Sequence, residues 1–399
     1  MSDQSIWDMV VGHDEAVAML KEVVAGERVT HAWLFTGPPG IGKLHTARVF
    51  AAALNCPAGG DGTCDSCRRI LRGVHPDVHL IVPEGDNLLV EDVRAVREEA
   101  SLTHYEAPTA VFILDEADRL TEAAANALLK VLEEPPPQVV FVLVARSAEA
   151  LVDTVPSRAR TLPFVSLSLA ELTAALGDDL QLDRDQTTWA AAASHGRLAR
   201  ARALLTDEAA RTRRSSVLDL PERLATGQPS GALAAAATVV NIADEVAAAA
   251  RSRQERELSD LEEAFGTGRG TGALRKRLET RHRRELRRAR FDALRDSAAD
   301  LLGAYRDMAL LAAGPIAGGG PGSPGAAPLV HPDKAGTLTR LAADIDPATA
   351  LRAAGALEEA DRRLAIGAAP LLTLEAAFLS VQAALRGPVV PINRLAIRR

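Results

Sequence analysis

The stretch TGPPGIGKLHTA, residues 36–47, decides the fold of the first part of the chain. Its Gly37, Gly40 and Gly42 allow successive backbone N–H groups to turn towards phosphate oxygens, and Lys43 reaches the outer phosphates. In such a phosphate-binding loop the residue after the lysine supplies a hydroxyl for the magnesium ion, but Leu44 has none. The stretch therefore predicts a pocket for ATP or ADP whose ability to hydrolyse the nucleotide is in question.

Four short apolar runs in the first 165 residues are interpreted as buried strands. They are AWLFTG (32–37), VHLIVPE (78–84), AVFILDEA (110–117) and VVFVLVAR (139–146). Helical patterns lie between them, at 90–102 and at 121–135, and the prolines from Pro135 onward end the second because proline cannot continue a helix. Strands alternating with helices predict an α/β domain, a parallel sheet with helices on both faces.

Two acidic residues, Asp115 and Glu116, end the third apolar run in VFILDEAD (111–118). In nucleotide-hydrolysing enzymes, carboxylates at this place hold magnesium and polarise the attacking water. The alternative is that the two acids merely begin a solvated loop. Because a phosphate-binding loop precedes them in the chain, we predict that both lie beside the nucleotide.

The composition is that of a globular protein with more than one core. Of 399 residues, 47% are hydrophobic and 25% are charged, and this length predicts two or three domains. A net charge of -7 weakens the case for a surface that binds nucleic acid throughout, although a local basic cluster can still do so. The first residues lack a signal-peptide pattern and no run of 18 or more apolar residues occurs. We expect a cytoplasmic protein that does not span a membrane.

The rest of the chain is predicted to be helical. We expect a nucleotide-binding domain over 1–167, a small helical subdomain over 168–212 and a long helical domain over 213–399. Glycine-rich segments interrupt the helices and are interpreted as flexible breaks. They are GQPSG (227–231), a segment near 265–273 and another near 314–328.

Six features together resemble the clamp-loader branch of the AAA+ proteins: TGPPGIGK, a cysteine cluster, VHPDV, ILDEADRL, AAANALLKVLEEPP and SRA. The resemblance is strong over residues 1–212 and weak beyond them, and NALLKVLEEPP is its most specific string. It implies an AAA+ domain, a helical lid and a helical collar that joins sister subunits in a five-subunit arc. It also implies two further partners in DNA replication by DNA polymerase III: the ring-shaped sliding clamp and primer-template DNA.

Two departures from the motor members of that branch, the gamma or tau subunits, concern hydrolysis. The motors carry Thr where this chain has Leu44. They also carry a lid motif Gly-x-x-Arg, whose arginine touches the phosphates, but the matching position after Gly196 is Ala199. Arg200 is one residue out of place, which turns its side chain by about 100° on a helix. The resemblance thus implies a stator that has lost hydrolysis; the alternative is a catalytically active, gamma/tau-like ATPase.

Ser157-Arg158-Ala159 resembles the family's Ser-Arg-Cys motif, whose arginine reaches into the ATP site of the neighbouring subunit. Such an arginine, supplied in trans, stabilises the charge on the transferring phosphate. Arg158 is preceded by SAEALVDTVP (147–156), interpreted as helical, which favours a place far from the chain's own phosphate-binding loop. The alternative is an ordinary surface arginine.

Three cysteines form the pattern Cys56-x7-Cys64-x2-Cys67 within an insertion at 56–79. Thiolates at this spacing suit a tetrahedral structural zinc site, which takes four ligands. The resemblance implies a fourth cysteine at the position of Ile70, so another ligand is needed: His75, His79 or water. The competing interpretation is a set of reduced thiols without metal, and three cysteines do not suggest a disulfide framework.

The run RKRLETRHRRELRRAR, residues 275–290, has ten basic residues if Arg295 is counted, and only two acidic residues up to Arg290. The ordinary interpretation is a solvated face of a long helix, with an inward stripe of Leu274, Leu278, Leu286 and Ala293. Contact with DNA or with an acidic partner is the alternative.

Overall fold

The computed structural model describes residues 5–26, 29–83, 87–102, 105–180, 182–265, 269–314, 328–365 and 367–386. The chain forms two compact units, Met1–Ala201 and Arg202–Arg399. The predicted division at 167 and 212 stays a prediction. Of the break predicted near 265–273, residues 266–268 lie outside the described residues, whereas 265 and 269–273 are helical. Of the break predicted near 314–328, residues 315–327 lie outside the described residues.

The first unit is built on a five-stranded parallel sheet. Its strands are β1 Ala32–Thr36, β2 Val78–Ile81, β3 Ala110–Leu114, β4 Val139–Ala145 and β5 Arg160–Pro163, in the order β2-β3-β4-β1-β5. Every residue of β1, β3 and β4 is buried, so these strands read as unbroken apolar runs. The four predicted strands are confirmed. The sequence pattern does not predict β5, because only Leu162 of that edge strand is buried.

Helices cover both faces of this sheet, which confirms the predicted α/β fold. On one face Trp33 and Phe35 pack with Phe50, and on the other Leu34 and Phe141 pack with Leu128. The helices up to residue 206 are α1 Asp14–Ala25, α2 Lys43–Leu54, α3 Asp65–Leu71, α4 Val90–Ala100 and α5 Glu122–Glu133, followed after the sheet by α6 Leu169–Leu180, α7 Arg184–Ala193 and α8 Leu198–Thr206. The Thr121 hydroxyl accepts a hydrogen bond from the Ala124 N–H and so caps the start of α5.

The helical interpretation of residues 147–156 is wrong. The segment forms turns closed by bonds from residue i+3 to residue i, such as Leu151 N–H to the Ala148 carbonyl and Val155 N–H to the Val152 carbonyl. A single 3-10 turn, Pro156–Arg158, follows. Pro156 lacks an N–H group, so an α-helix could not continue through it without losing a backbone bond.

The second unit is helical. Its helices are α9 Glu208–Leu218, α10 Leu220–Ala225, α11 Pro229–Phe265, α12 Arg269–Ala313, α13 Ala335–Ala342, α14 Pro347–Ala365 and α15 Pro370–Leu385. Large apolar side chains from α11, α12, α14 and α15 form one core, with Val239, Tyr305, Leu357 and Phe378 among them. The break predicted at 227–231 is shorter than expected, because Pro229 already begins α11.

One helical stretch, Pro229–Ser259, is long and apolar enough to cross a membrane by length and composition. A third of its most apolar window is buried, and Ala232, Ala236 and Ala243 belong to the core of the second unit. The core helix of a bundle passes the same test, so this stretch is weak evidence for a membrane span.

Candidate nucleotide and metal sites

The phosphate-binding loop joins β1 to α2, as its sequence predicts. Gly37, Gly40 and Gly42 have φ angles of 142°, 82° and 106°, a region that L-residues with side chains rarely adopt. At Gly37 there is also no space for a side chain, since a Cβ atom would lie 2.2 Å from the Phe164 carbonyl oxygen. Helix α2 begins directly after this loop, so its first N–H groups point towards the place of an anion.

Lys43 turns its ammonium group back onto its own loop. The side chain is buried, and it donates hydrogen bonds to the carbonyl oxygens of Gly37 and, at 2.6 Å, Pro38. A nucleotide phosphate would have to replace these carbonyl acceptors. The loop therefore has the groups for phosphate binding, but its cation already has partners within the chain.

Leu44 faces apolar neighbours rather than the phosphate position. Its partly buried side chain packs against the core cluster that contains Val49 and Phe50. The nearest hydroxyl along the helix belongs to Thr46, which is fully buried and donates to the Gly42 carbonyl at 3.1 Å. Thr46 thus does not replace the missing magnesium ligand, since its side chain is committed to the helix.

Asp115 and Glu116 lie at the carboxyl end of β3, the edge of the sheet that also carries the phosphate-binding loop. Asp115 is buried and its carboxylate accepts the Glu116 N–H at 3.1 Å. Glu116 has a left-handed backbone with φ of 54°, an uncommon conformation for a residue with a side chain. Its carboxylate pairs with Arg119 at 2.7 Å, so it must exchange this partner before it can polarise a water molecule.

Two arginines that the motifs do not predict lie at the same loop. The Arg146 carbonyl, just after β4, accepts the Gly37 N–H at 3.0 Å, while its guanidinium pairs at 2.7 Å with Asp118, whose side chain is 5% exposed. Arg197 covers Gly40: a Cβ atom there would lie 2.6 Å from the Arg197 Cδ. Two features of the sequence could have indicated these arginines. Arg146 directly follows the apolar run of β4, and Arg197 directly follows Gly196.

The lid position that lacks an arginine, Ala199, lies in the first turn of α8 and is exposed. Arg197, two residues earlier, contacts the phosphate-binding loop instead. An arginine of this segment therefore lies at the loop, but it stands at position 197 rather than at position 199, where the lid motif has its arginine.

Arg158 ends the 3-10 turn before β5 and points back towards α5. Its guanidinium pairs with Glu133 at 2.7 Å and donates to the Thr154 carbonyl at 3.0 Å. Its side chain is 36% exposed. The proposed role in trans would require the guanidinium to leave Glu133, and that role stays a prediction.

The three cysteines converge with an aspartate. Ligand atoms of Cys56, Asp61, Cys64 and Cys67 all lie within 4.8 Å of one another. The Cys56 and Cys64 sulfur atoms are 3.8 Å apart, and two thiolates on a tetrahedral zinc with bonds of about 2.3 Å lie about 3.8 Å apart. The Asp61 Oδ1 is 3.4 Å from the Cys56 sulfur. This donor set fits a zinc ion with three sulfur ligands and one oxygen ligand.

The predicted histidine ligands do not belong to this group. His75 faces Glu106, with 3.5 Å between its Nε2 and the carboxylate, and His79 faces Glu99 at 3.2 Å. Asp61 is brought in by a turn in which Gly59, Gly60 and Gly62 all have positive φ. Spacing alone could not select Asp61, because a carboxylate between two cysteines is also a common surface residue.

The thiols of this cluster have different acidities. Burial raises the pKa of Cys56, but hydrogen bonds from the backbone at Asp61, Gly60 and Ala58 outweigh burial and lower it overall. Burial raises the pKa of Cys67 to about 12, and its contact with Cys64 acts in the same direction. A metal ion binds thiolates, so it would release the Cys67 proton on binding.

Comparisons with known proteins agree on the first unit. A family model described as "DNA polymerase III, delta subunit" matches residues 12–168. The chain is 41% identical over 152 residues to the DNA polymerase III subunit delta' of Bacillus subtilis, covering 37% of this chain and 46% of that protein. It is 34% identical over 160 residues to the subunit gamma/tau of Mycobacterium tuberculosis, covering 39% of this chain and 28% of that protein. The matches span less than half the length of these relatives.

Two solved structures from Thermotoga maritima are also similar. A protein related to the DNA polymerase III gamma subunit has a TM-score of 0.39 and 16% identity, with 92% of this chain and 99% of that chain covered. The RuvB Holliday junction branch migration motor has a TM-score of 0.39 and 19% identity, with 54% of this chain and 66% of that chain covered.

Proposed function

We propose that this chain is a clamp-loader subunit of the delta prime type in bacterial DNA polymerase III, and that it has no ATPase activity of its own. The observation that carries the proposal is Leu44, which stands where a hydrolysing subunit has a magnesium-binding hydroxyl and packs, partly buried, against the apolar core. The match over residues 12–168 and the identity to a delta' subunit support the same family. Glu116, paired with Arg119, adds a second reason for inactivity.

The proposed partners follow from this assignment. The chain would join gamma/tau and delta-like subunits in a hetero-oligomer in the cytoplasm. That complex would open the sliding clamp and set it on primer-template DNA during DNA replication. Residues 1–167 would form the AAA+ domain and 168–212 the lid, while 213–399 would form the collar that joins the subunits. The helical second unit supports a collar, since its helices share one apolar core.

ATP or ADP is proposed as a bound ligand that is not hydrolysed. The glycines of the loop leave its backbone N–H groups turned towards a phosphate position, and Lys43 stands beside them. A phosphate would compete with the loop carbonyls for that ammonium group. Because no hydroxyl follows the lysine, we expect nucleotide binding to depend little on magnesium.

Arg158 is proposed to act in trans on the ATP of a motor neighbour, as an arginine finger. Its partial exposure and its place on a turn allow the side chain to change partner. A guanidinium is always charged and presents a planar fork that matches phosphate oxygens. Glu133 would hold the side chain while no neighbour is present.

A structural zinc ion is proposed for the cysteine cluster, with Cys56, Cys64, Cys67 and Asp61 as its ligands. The convergence of four ligand atoms within 4.8 Å supports it. Zinc would neutralise the charge of three thiolates and a carboxylate, and so hold the insertion onto α2 through Cys56 and α3 through Cys67.

The rival function is an active, gamma/tau-like ATPase, favoured by the retained Lys43 and Asp115 and by the identity to gamma/tau subunits. The purified chain, assayed alone with ATP and magnesium, separates the two. We expect negligible turnover. A turnover above about 1 per second that disappears in Lys43→Ala would establish the rival, and a Lys21→Ala variant, altered on the surface of α1, controls for contaminating ATPases.

A further inference from the structure

The two longest helices of the second unit extend beyond its apolar core. Helix α11 has 37 residues and α12 has 45, which correspond to roughly 55 Å and 68 Å. Their apolar core positions lie at 232–250 and 294–309. Residues 251–265 and 269–290, here named the arm, therefore carry the helices past the core. Contacts of Asp244 with Arg290 and of Gln254 with His282 show that the two helices run antiparallel.

The arm is held together by polar contacts. Among the arm side chains that the structure describes, only Gln254 and His282 are buried. The Gln254 amide donates to the His282 carbonyl and the Glu285 carboxylate, each at 3.1 Å, and His282 Nε2 pairs with Glu257 at 2.8 Å. The described side chains of the arm therefore bury little apolar surface, and such burial adds little to folding. The side chains that the arm exposes are therefore candidates for a role in binding.

Four arginines of the arm have no recorded ion pair or hydrogen bond to any described part of the chain: Arg251, Arg253, Arg256 and Arg283. Three acidic side chains of the arm, by contrast, are engaged within it. Glu257 and Glu285 contact His282 and Gln254, and Glu279 accepts from Arg275 at 2.8 Å. The unpaired charge of the described arm surface is therefore mainly positive, with Glu255 as the acidic neighbour.

Two of these arginines, one from each helix, line the same surface groove. Arg251 of α11 and Arg283 of α12 line a groove of about 400 Å³, where Glu255 and Glu279 also lie. Arg253 lines a second groove of about 260 Å³ with Glu257 and Glu285. Residues 275–290 add further basic residues along α12, while the whole protein has a net charge of -7. The positive charge is thus local to the arm.

We propose that the arm binds the phosphate backbone of double-stranded nucleic acid directly and without sequence preference. Guanidinium groups match phosphate oxygens bidentately, which suits the arginines that the arm exposes. Binding of single strands uses aromatic side chains as stacking platforms, and the arm sequence contains a single aromatic residue, Phe265. The contact is made by this chain alone, so it does not depend on the proposed assembly.

The test measures binding of the full chain to a fluorescein-labelled 30-base-pair DNA duplex by anisotropy, between 50 and 200 mM NaCl. The test variant replaces Arg251, Arg253, Arg256 and Arg283 by Gln. A matched control replaces four exposed arginines of the second unit outside the arm by Gln: Arg223, Arg340, Arg352 and Arg362. Thermal melting of all three proteins checks folding, and the four unpaired arm arginines leave no broken contact behind.

We expect the arm variant to bind the duplex at least about tenfold more weakly at 100 mM NaCl, with a salt slope smaller by about 3 to 4, because each lost phosphate contact removes about 0.9. The control should bind like the natural chain. Equal binding by the arm variant overturns the proposal. Tighter binding to a 30-nucleotide oligo-dT strand overturns the choice of duplex, and equal competition by polyglutamate indicates an acidic protein partner instead.

Discussion

The edge of the sheet in the first unit and the arm of the second unit both carry many charges, but they use them in opposite ways. At the carboxyl ends of the strands Lys43 binds loop carbonyls and Glu116 pairs with Arg119, and at the amino end of β5 Arg158 pairs with Glu133. On the arm, Arg251 and Arg283 have no recorded partner among the described residues. A buried charge without a partner is costly, whereas an exposed one is solvated. The sheet edge must therefore exchange partners to act, and the arm need not.

The cysteine cluster differs from both regions. It places three sulfur atoms and a carboxylate together without a cation of the chain among them. Groups of like character that converge in this way are stabilised by a shared metal ion. The first unit thus contains one region that supplies its own counter-ions and one whose ligand atoms fit an ion from outside.

The largest expected effect concerns Arg158, which must leave Glu133 to reach the ATP of a neighbouring subunit. In a complex reconstituted with motor subunits, Arg158→Ala should lower ATP turnover at the neighbouring site by about 10³, because the guanidinium stabilises transition-state charge. Several sites in one complex would dilute the measured loss. DNA-dependent ATP turnover is measured beside assembly by size exclusion.

Two variants control this experiment. Arg184→Ala, on the exposed surface of α7, should leave turnover unchanged. Glu133→Gln releases Arg158 from its partner and should not reduce turnover. Normal turnover with Arg158→Ala in an assembled complex would make Arg158 a surface residue.

The second effect concerns zinc binding by the cysteine cluster. We expect about one zinc per chain in protein purified without chelator, and Cys64→Ser should lose both the metal and several degrees of melting temperature. Asp61→Asn should weaken zinc binding at least about tenfold, since it removes the oxygen ligand. Metal analysis and the absorption spectrum of the cobalt-substituted protein are the measurements.

Asp65→Asn is the matched control for the aspartate, because Asp65 is exposed near the cluster and outside the group of converging ligand atoms. It should keep the zinc. If Asp61→Asn binds zinc as tightly as the natural chain, water or another group is the fourth ligand.

The third effect tests whether the missing hydroxyl is structural. Leu44→Thr should lower the free energy of unfolding by about 1–2 kcal/mol, because it removes apolar contacts and places a hydroxyl against the core. It should not raise ATP turnover of the isolated chain. Leu44→Met, which conserves volume, should cost less. Urea denaturation gives the stability; an ATPase that appears with Leu44→Thr and disappears with Lys43→Ala would show that the hydroxyl alone was lacking.

The smallest effect is a pH dependence at Asp77, in the motif VHPDV. Burial raises the pKa of this carboxyl, but N–H groups of Tyr105, Glu106 and Ala107 donate to it and lower the pKa overall. Its stabilising contribution is therefore complete above the unfolded pKa, near 3.8, and is lost as the pH falls through the lower folded value. Because protonation is incomplete at pH 3, we expect a loss below about 1 kcal/mol between pH 6 and pH 3.

Urea denaturation between pH 6 and pH 3 measures this contribution. Asp77→Asn should lower stability at pH 6 and reduce the loss on acidification. Glu98→Gln, which changes an exposed carboxylate on α4, serves as the control for general acid effects. An unchanged pH dependence in Asp77→Asn would assign the acid sensitivity to other carboxylates.

Much of the fold and part of the candidate site follow from the sequence alone. Buried strands such as β3 and β4 are recognisable because every residue must be apolar when both faces of a sheet are covered. The phosphate-binding loop is recognisable because its glycines and lysine meet a backbone requirement that few other residues satisfy. These are local constraints, and each is written in consecutive residues.

The choice of side-chain partners was decided only by the tertiary structure. Asp61 joins the cysteines because a turn with three positive-φ glycines folds it back, and Arg197 reaches Gly40 although 157 positions separate them. Likewise, β5 is held by pairing with β1 rather than by its own exposed residues. Such contacts depend on distances through space, which hydrophobic period and motif spacing do not contain. The sequence therefore determined the scaffold and the kind of site, and the fold decided which residues occupy it.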